Sequence, residues 1–477
     1  MTLSALNKNM DAALIELGKK LKSDQIITDS DVLESYAIDT SEAEPHQPDA
    51  VLRARSAQDI AETLRIANHY RIPVTPRAAG TGRTGGAVPL AGGIVLSVEH
   101  MQKIKEIDRD NFICVAEPGV ITGELQRSVE NEALFYPPDP NSLDSCMLGG
   151  NIAENAGGPR AFKYGVTRDY VLGMQVVTAA GEILSLGKRT LKGVTGYDLT
   201  ALLVGSEGTL GVITEATFKL LALPEKIVTL AVFFKDNSSA LDSVTAMGRA
   251  GIISRCYEFL DQETLDVLRP KAALDIPKSA QAMIIMELDG SEQQVDRDLE
   301  KSAAVLETCG AIEVLVAKNN QERSRLWGAR REMSHALRER AAFKLAEDVV
   351  VPRDKLRDLV DYGRELSERF KIRTASYGHA GDGNLHMNFL WDDPAERPTV
   401  EKAIKALFEK VVALRGTLTG EHGVGILKAP YLGLEQSETL IDYQKRIKKL
   451  FDPNGILNPG KIFPSEAKAF GHSHLLC

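Results

Sequence analysis

Apolar positions recur along this chain with two different periods, and the switches between them mark out its elements. Leu3, Leu6, Met10, Leu14, Leu17 and Leu21 fall at helical spacing and predict an amphipathic N-terminal helix. Such a helix docks on its own protein or, as the minority alternative, lies on a membrane surface. Ser30–Tyr36 reads as a short helix. Asp49–Arg55, Ile72–Pro76, Ile94–Val98, Asn111–Val115 and Val171–Thr178 read as strands. Ser56 is placed to cap a helix running to about His69, and Gly123–Asn131 is another. Beyond Pro224 the order is strand Lys226–Phe234, strand Ala282–Leu288, helix Gln294–Cys309 and strand Ala311–Ala317. That order predicts an antiparallel sheet with helices on one face. Leu326–His335 reads as a helix on which Arg330 and Ser334, four apart, share a face. Tyr443–Leu450, with Lys445, Arg446, Lys448 and Lys449, reads as a solvated basic helix end.

The pattern is most informative around Ser376–Asn388. Ile372–His379 and Leu385–Leu390 alternate as strands, and Gly381-Asp382-Gly383-Asn384 between them supplies turn residues that allow positive φ. Period two puts His386 and Asn388 on one face and Leu385, Met387 and Phe389 on the other. Further on stands Gly420-Glu421-His422-Gly423. Two histidines and a carboxylate, here His379, His386 and Glu421, form a ligand set for a divalent metal with open positions. The alternative is two satisfied histidines beside a tight turn, because the spacing is not a stereotyped zinc signature.

Glycine clusters dominate the first half. Gly80-x-Gly82-x-x-Gly85 matches the dinucleotide fingerprint of NAD-dependent enzymes, which needs a helix opening at the last glycine. The following Gly86-Ala-Val-Pro89-Leu-Ala-Gly92-Gly93 permits none. A loop of closely spaced backbone N–H groups remains, which suits a pyrophosphate; a surface turn is the plain alternative. Pro137–Ser142 is rigid, Leu148–Gly158 is a second small-residue surface, and Gly205–Gly211 is a third. Together they fit one extended polyanionic ligand lying along the backbone.

Composition narrows the classes. At 477 residues, 43% hydrophobic and 26% charged, the chain is an ordinary globular protein of two or three domains. A net charge of −9 offers no footprint for nucleic acid. No apolar run reaches the ~18 residues of a membrane span, and residues 1–22 lack a signal-peptide core, which points to a cytoplasmic protein, with peripheral contact at the inner membrane face as an option. Cys114, Cys146, Cys256, Cys309 and Cys477 are scattered with no Cys-x-x-Cys spacing, so a reducing compartment and no iron–sulfur motif are expected. No role is assigned to His472 or His474.

These motifs, in this order, resemble the vanillyl-alcohol oxidase superfamily, whose flavin domain is the PCMH type. Pro76–Gly86, Pro138-Asp139-Pro140, Gly149–Gly158 and Gly205–Gly211 carry the likeness to its FAD-binding half. Tyr377–His386, Gly420–Gly423 and Phe451–Lys461 resemble the branch of the glycolate oxidase FAD subunit, D-lactate dehydrogenase and D-2-hydroxyglutarate dehydrogenase. The resemblance implies an α+β chain: a two-lobed FAD domain plus a ferredoxin-like antiparallel-sheet cap. The expected division is an N-terminal helical segment 1–47, FAD domain 48–224, cap 225–415 and a C-terminal segment 416–477 returning to the flavin. It implies FAD contacts from Pro76, Arg77, Gly80, Thr81, Gly82, Thr84, Gly85, Gly86, Pro138, Asp139, Ser142, Gly149, Gly150, Asn151, Asn155, Gly157, Gly158, Tyr164, Gly165, Glu207, Gly208, Gly211, Ile213 and Asn458. Some relatives attach flavin through a histidine in the first loop; Thr81 stands there, so FAD is expected to be non-covalent at that point.

The same resemblance makes Arg330 a carboxylate anchor with Ser334 beside it, and Lys344 a further substrate contact. The implied chemistry is oxidation of a small 2-hydroxy acid. A divalent metal, zinc or manganese, on His379, His386 and Glu421 would lower the hydroxyl pKa. His422 would act as general base, Asn388 would orient substrate, and flavin would take hydride. Electrons would pass to an iron–sulfur subunit, an electron-transfer flavoprotein or a quinone; a homodimer is an open option. Two rivals remain at this stage: an NAD-dependent dehydrogenase, and a non-catalytic FAD-carrying subunit.

Overall fold

The computed structural model describes residues 3–270, 275–331 and 333–463, so His472, His474 and Cys477 lie outside it, as does Glu332 within the expected Leu326–His335 helix. Two compact units emerge. Among the described residues, one comprises 3–156, 166–223 and 421–463, the other 157–165, 224–270, 275–331 and 333–420.

The first unit has two lobes. In one, Ala50–Arg53, Ile94–Ser97 and Val74–Arg77 pair in parallel, with Ile26–Ile27 antiparallel at the edge. Parallel strands need covered faces. Helix Ala57–Tyr70 supplies one cover, capped by Ser56 Oγ accepting from Asp59 N as its sequence predicts. Helix Leu3–Lys20 packs on that helix with Met10, Ala13 and Leu17 buried, so this part of its apolar stripe is spent inside the protein. The second lobe is a five-stranded antiparallel sheet in the order Ile104–Asp108, Ile113–Ala116, Val212–Lys219, Val171–Val177 and Ile183–Gly187. Leu148–Glu154 is a helix here, where its glycines had suggested only an irregular surface. Burial of Leu148 and Ile152 outweighs the low propensity of Gly149 and Gly150.

The basic helix end is also different from its sequence reading. The helix spans Glu438–Phe451, and Lys448 is buried rather than solvated. Its Nζ donates to Asp452 Oδ2, Thr209 O and Leu457 O, while the Asp452 carboxylate accepts from Ile456 N and Leu457 N. A buried ion pair thus folds the last described segment back, and Leu457 bridges to Val74.

The second unit is built on one seven-stranded antiparallel sheet. Its order is Ala311–Val316, Lys226–Phe234, Ala282–Gly290, Cys256–Leu260, Arg373–His379, Asn384–Trp391 and Phe343–Val350. Residues directly opposite in such a ladder share a face. Glu287 opposes Thr229 and Cys256; Glu258, two on from Cys256, opposes His379; Tyr377 opposes His386, which also opposes Asp348. One face therefore carries a row of polar side chains across six strands. The other face is apolar, with Tyr257, Phe259, Met286, Leu385, Met387 and Phe389 buried. Helices Asn237–Arg249, Glu292–Thr308, Leu356–Phe370 and Arg397–Ala413 cover it. A further group, Gln262–Leu268, Asn320–Arg331 and Met333–Arg338, covers part of the polar face through Leu265, Leu326, Met333 and Leu337. It leaves the charged row at the end of that face.

Candidate active site

The hairpin folds as its alternation predicts. Tyr377 pairs with His386 and His379 with Asn384, leaving Ala380–Gly383 as the turn. His379, His386 and Asn388 are all buried, at 5%, 8% and 0% exposure, so their polar atoms must be satisfied by neighbours or ligand. The two imidazoles meet edge to face with ring centroids 5.4 Å apart, and their ligand nitrogens approach within 4.8 Å. His379 Nδ1 lies 2.6 Å from Glu258 Oε1. Burial alone would raise the Glu258 pKa; the charges of His379 and Arg330 overcome it and hold the carboxyl at about 2. An ionised Glu258 accepts, so Nδ1 carries a proton in either state of the ring, and it is in the neutral ring that Nε2 has a lone pair to offer a metal. That donor chemistry fits the expected metal.

Arg330 donates from Nε to Glu258 Oε2 at 2.6 Å, and its guanidinium lies over the Tyr377 ring, 4.8 Å from the centroid. Lys344 Nζ donates to Ser334 Oγ at 2.8 Å and to Asn388 Oδ1 at 3.3 Å. Asn388 Nδ2 is held by Ala375 O and His386 O, which fixes the direction of its amide. The structure thus joins Arg330, His379 and Tyr377 in one group and Lys344, Ser334 and Asn388 in another on the same sheet face.

Asp348 anchors the approach to Glu421. It is fully buried and accepts from Asn384 Nδ2 at 2.6 Å, Thr419 Oγ1 at 3.0 Å and Gly420 N at 2.9 Å. Gly420 is thereby fixed beside the His386 strand, and Glu421 is the next residue along the chain.

Residues 157–165 belong to this unit as well. Gly157 and Gly158 lead into them, and Tyr164 OH and Lys163 Nζ both donate to the Asp289 carboxylate, which also pairs with Arg255. Phe162 lies against Gly381 so closely that a methyl group there would start 2.6 Å from its ring. Close approach of Phe162 is what calls for glycine at 381, whereas in the turn it is Gly383 that takes a positive φ, 91°. Gly165, at φ 81°, ends the segment.

In the first unit the three glycine clusters converge. No helix follows Gly85, and Gly80 and Gly85 take φ of 70° and 81°, as a nest-forming loop requires. Arg77 sits behind this loop, donating to Ile38 O and Ala87 O, with its guanidinium against Gly80. Thr84 Oγ1 donates to His422 O, and Thr84 O accepts from Ile426 N. Asn458 Nδ2 bridges Gly86 O and Glu207 O. Glu207 accepts from Val424 N and Gly425 N, each at 2.7 Å. A methyl at Gly208 would sit 3.3 Å from Pro76 Cγ, and one at Gly150 would sit 3.4 Å from Ala78 Cβ. Gly149 N donates to Pro118 O, Asn151 Nδ2 to Thr122 Oγ1, and Asn155 Oδ1 accepts from Arg168 N. Pro138 O accepts from Gln126 Nε2, beside buried Asp139, and Ser142 O turns the chain through Ser145 N. Gly82 and Thr81 lie in the loop itself; Gly211 and Ile213 open the Val212–Lys219 strand region.

A glycine-lined cradle fits a flat, pyrophosphate-bearing cofactor, and one buried atom points the same way. Glu154 Oε2 is buried without a hydrogen-bond partner among the described residues. Burial, then the nearby Glu207 and Asp39, push the Glu154 pKa well up, and its carboxyl group lies beside Gly86 and Gly423.

Sequence reading missed Glu258, Asp348 and the Phe162–Tyr164 contacts. Glu258 and Asp348 carried a signal in retrospect: an acidic residue at an inward position of an otherwise apolar strand, as in Cys256-Tyr-Glu-Phe-Leu260.

Comparisons with known proteins identify the family. A family model described as an FAD binding domain matches residues 48–187, and one for the C-terminal domain of FAD linked oxidases matches residues 223–462. The chain is 43% identical to glycolate oxidase subunit GlcD of Bacillus subtilis, over 91% of this chain and 93% of that protein. It is 34% identical to D-lactate dehydrogenase of Anaerostipes hadrus, covering 94% and 97% of the two chains. It is 32% identical to D-2-hydroxyglutarate dehydrogenase of Stutzerimonas stutzeri, covering 95% and 99%. Among solved structures, p-cresol methylhydroxylase shares the fold at a TM-score of 0.79 with 18% identity, over 97% of each chain. 4-Ethylphenol oxidase from Gulosibacter chungangensis does so at 0.77 with 20% identity, over 96% of this chain and 97% of that one. With its glycine cradle in one unit and its buried histidine face in the other, the chain belongs to the FAD-linked oxidases, in the group of the glycolate oxidase, D-lactate dehydrogenase and D-2-hydroxyglutarate dehydrogenase proteins.

Proposed function

We propose that this FAD-linked oxidoreductase oxidises a small D-2-hydroxy acid to the 2-oxo acid. One observation carries the reading: a single sheet face gathers two buried imidazoles, a buried guanidinium, a lysine and an amide, with a second polar turn entering beside them at Gly420. A carboxylate next to a hydroxyl needs that mixture. Arg330, with Nε committed to Glu258, keeps its other N–H donors for the substrate carboxylate. Lys344, Ser334 and Asn388 orient what hangs from Cα; a second carboxylate there would make D-2-hydroxyglutarate the substrate, a methyl group D-lactate. His379, His386 and Glu421 would hold a divalent ion, zinc or manganese, and such an ion lowers the pKa of a bound hydroxyl. FAD, held without a covalent bond by the glycine loops, supplies the hydride acceptor. His422 takes the hydroxyl proton, since an imidazole titrates near working pH. Its backbone carbonyl is fixed by Thr84. Electrons leave to a separate acceptor: an iron–sulfur subunit, an electron-transfer flavoprotein or a quinone.

The test is an anaerobic absorbance spectrum of the purified protein with D-lactate, L-lactate, glycolate and D-2-hydroxyglutarate in turn, before and after EDTA. One D-acid should bleach the flavin band, EDTA should abolish this, and zinc or manganese should restore it. His422→Ala should keep FAD and reduce it more slowly by ~10²–10⁴. A flavin band that no acid bleaches would instead support a non-catalytic FAD-carrying subunit.

A further inference from the structure

One buried carboxylate touches both halves of the proposed chemistry. Glu258 has no exposed surface, and its strand register sets it directly opposite His379. Oε1 lies 2.6 Å from His379 Nδ1 and Oε2 lies 2.6 Å from Arg330 Nε. Neither partner is near it in sequence: His379 is 121 residues away and Arg330 is 72. The sheet and the Asn320–Arg331 helix have to fold before the three meet.

We infer that Glu258 is a positioning residue that sets the ring of the metal ligand His379 and the guanidinium of the carboxylate anchor Arg330 at the same time. The inference rests on the roles proposed above for those two residues. Each contact restricts a different freedom. An imidazole can flip about its Cβ–Cγ bond and exchange tautomers; an acceptor on Nδ1 stops both and directs Nε2 outward. A guanidinium presents two edges to carboxylates; binding Nε uses one and leaves the Nη1–Nη2 edge for substrate. Tyr377, beneath the guanidinium, holds its plane. An oxygen-only, doubly accepting side chain is required, because both neighbours are donors. Glutamine has one acceptor oxygen and would face the other donor with an N–H.

The experiment compares wild type, Glu258→Gln, Glu258→Asp, Arg330→Ala and the Glu258→Gln/Arg330→Ala double variant, all FAD-loaded. Zinc affinity is measured by competition with a chromophoric chelator. KM and kcat are measured with whichever of D-lactate, glycolate or D-2-hydroxyglutarate reduces the flavin. Glu258→Gln should weaken zinc binding about 10–100-fold and raise KM. In the Arg330→Ala background, Glu258→Gln should raise KM no further yet weaken zinc by the same factor. Glu258→Asp, which keeps two acceptor oxygens, should recover part of both. A purely structural role would lower everything in both backgrounds alike and would overturn the inference, as would unchanged zinc affinity in Glu258→Gln. If wild type takes up no zinc or manganese at all, the metal reading itself fails, and the Glu258 inference falls with it. If Glu258→Gln does not fold, Glu258→Asp decides: zinc affinity and KM both at wild-type values refute the dual role.

Discussion

Asp348→Ala is the sharpest probe of how this site is held. The side chain has no exposed surface, and three donors converge on it: Asn384 Nδ2, Thr419 Oγ1 and Gly420 N. Hydrogen bonds to an ionised group contribute about 1.5–3 kcal/mol each. Three of them do not add, because they share one acceptor group, and Asn384 Nδ2 keeps a bond to Val349 O. Alanine also leaves the Gly420 N–H and the Thr419 hydroxyl without that acceptor. The expected loss is about 3–5 kcal/mol, a large share of the ~5–15 kcal/mol that holds a domain folded. The two tryptophans of the chain, Trp327 and Trp391, both lie in the second unit, so their fluorescence reports that unit alone. Urea unfolding followed by tryptophan emission should show a lower midpoint with an unchanged slope. Zinc affinity should fall in parallel, since Gly420 leads directly into Glu421. A midpoint shift worth less than about 1 kcal/mol, with zinc retained, would falsify the view that Asp348 fixes this turn.

Other consequences can be checked separately. Lys344→Met should lower kcat/KM for D-2-hydroxyglutarate about tenfold more than for glycolate if the lysine serves a second carboxylate, since one charge-assisted hydrogen bond is at stake; equal losses would remove it from that role. Lys448→Met strands the buried Asp452 carboxylate and should cost about 3–5 kcal/mol, read as faster FAD release on dilution, because the Asp452 turn positions Asn458 on Gly86; wild-type FAD retention would contradict this. Acid should act through Glu258. Its folded pKa of about 2 lies below the ordinary 4.5, so its stabilisation is complete above pH 4.5 and is lost as pH falls from 4.5 toward 2. The amount is about 3 kcal/mol. Wild type should therefore lose urea resistance across that window more steeply than Glu258→Gln, and parallel profiles would show that the carboxylate is not so held.

What the sequence revealed follows from the range of the interactions involved. The His386 and Asn388 face was legible because a strand fixes side-chain direction every second residue, whatever its partners. The Gly80–Gly86 loop was legible because proline and glycine forbid a helix locally. Glu258 and Asp348 were not, because their meaning lies in strand register: Glu258 matters only once it faces His379, and Asp348 only once it faces His386. Lys448 misled for a related reason. A run of lysines and an arginine at a helix end describes a solvated face well, but one position of that run turns inward to Asp452, four residues on. Charge composition cannot identify which one. The helix Leu148–Glu154 escaped because two glycines lower helix propensity by about 1 kcal/mol each, an amount that burial of Leu148 and Ile152 readily exceeds.

The positions of Gly420, Glu421 and His422 bear on why the proposed base and the proposed metal ligand stand side by side in this sequence. Gly420 is fixed by Asp348 within the second unit, and the His422 carbonyl is fixed by Thr84 within the first. Both anchors hold backbone atoms. Gly423, at φ 82°, then turns the chain, and a methyl there would start 2.2 Å from Glu154 Oε2. The glycine is required twice, by its backbone angle and by the buried acid behind it. A ligand for the hydroxyl and a base for its proton have to act on the same substrate atom. Adjacent positions suit two groups proposed to act on one atom, and backbone anchors at Gly420 and at His422 fix where that short piece of chain begins and ends.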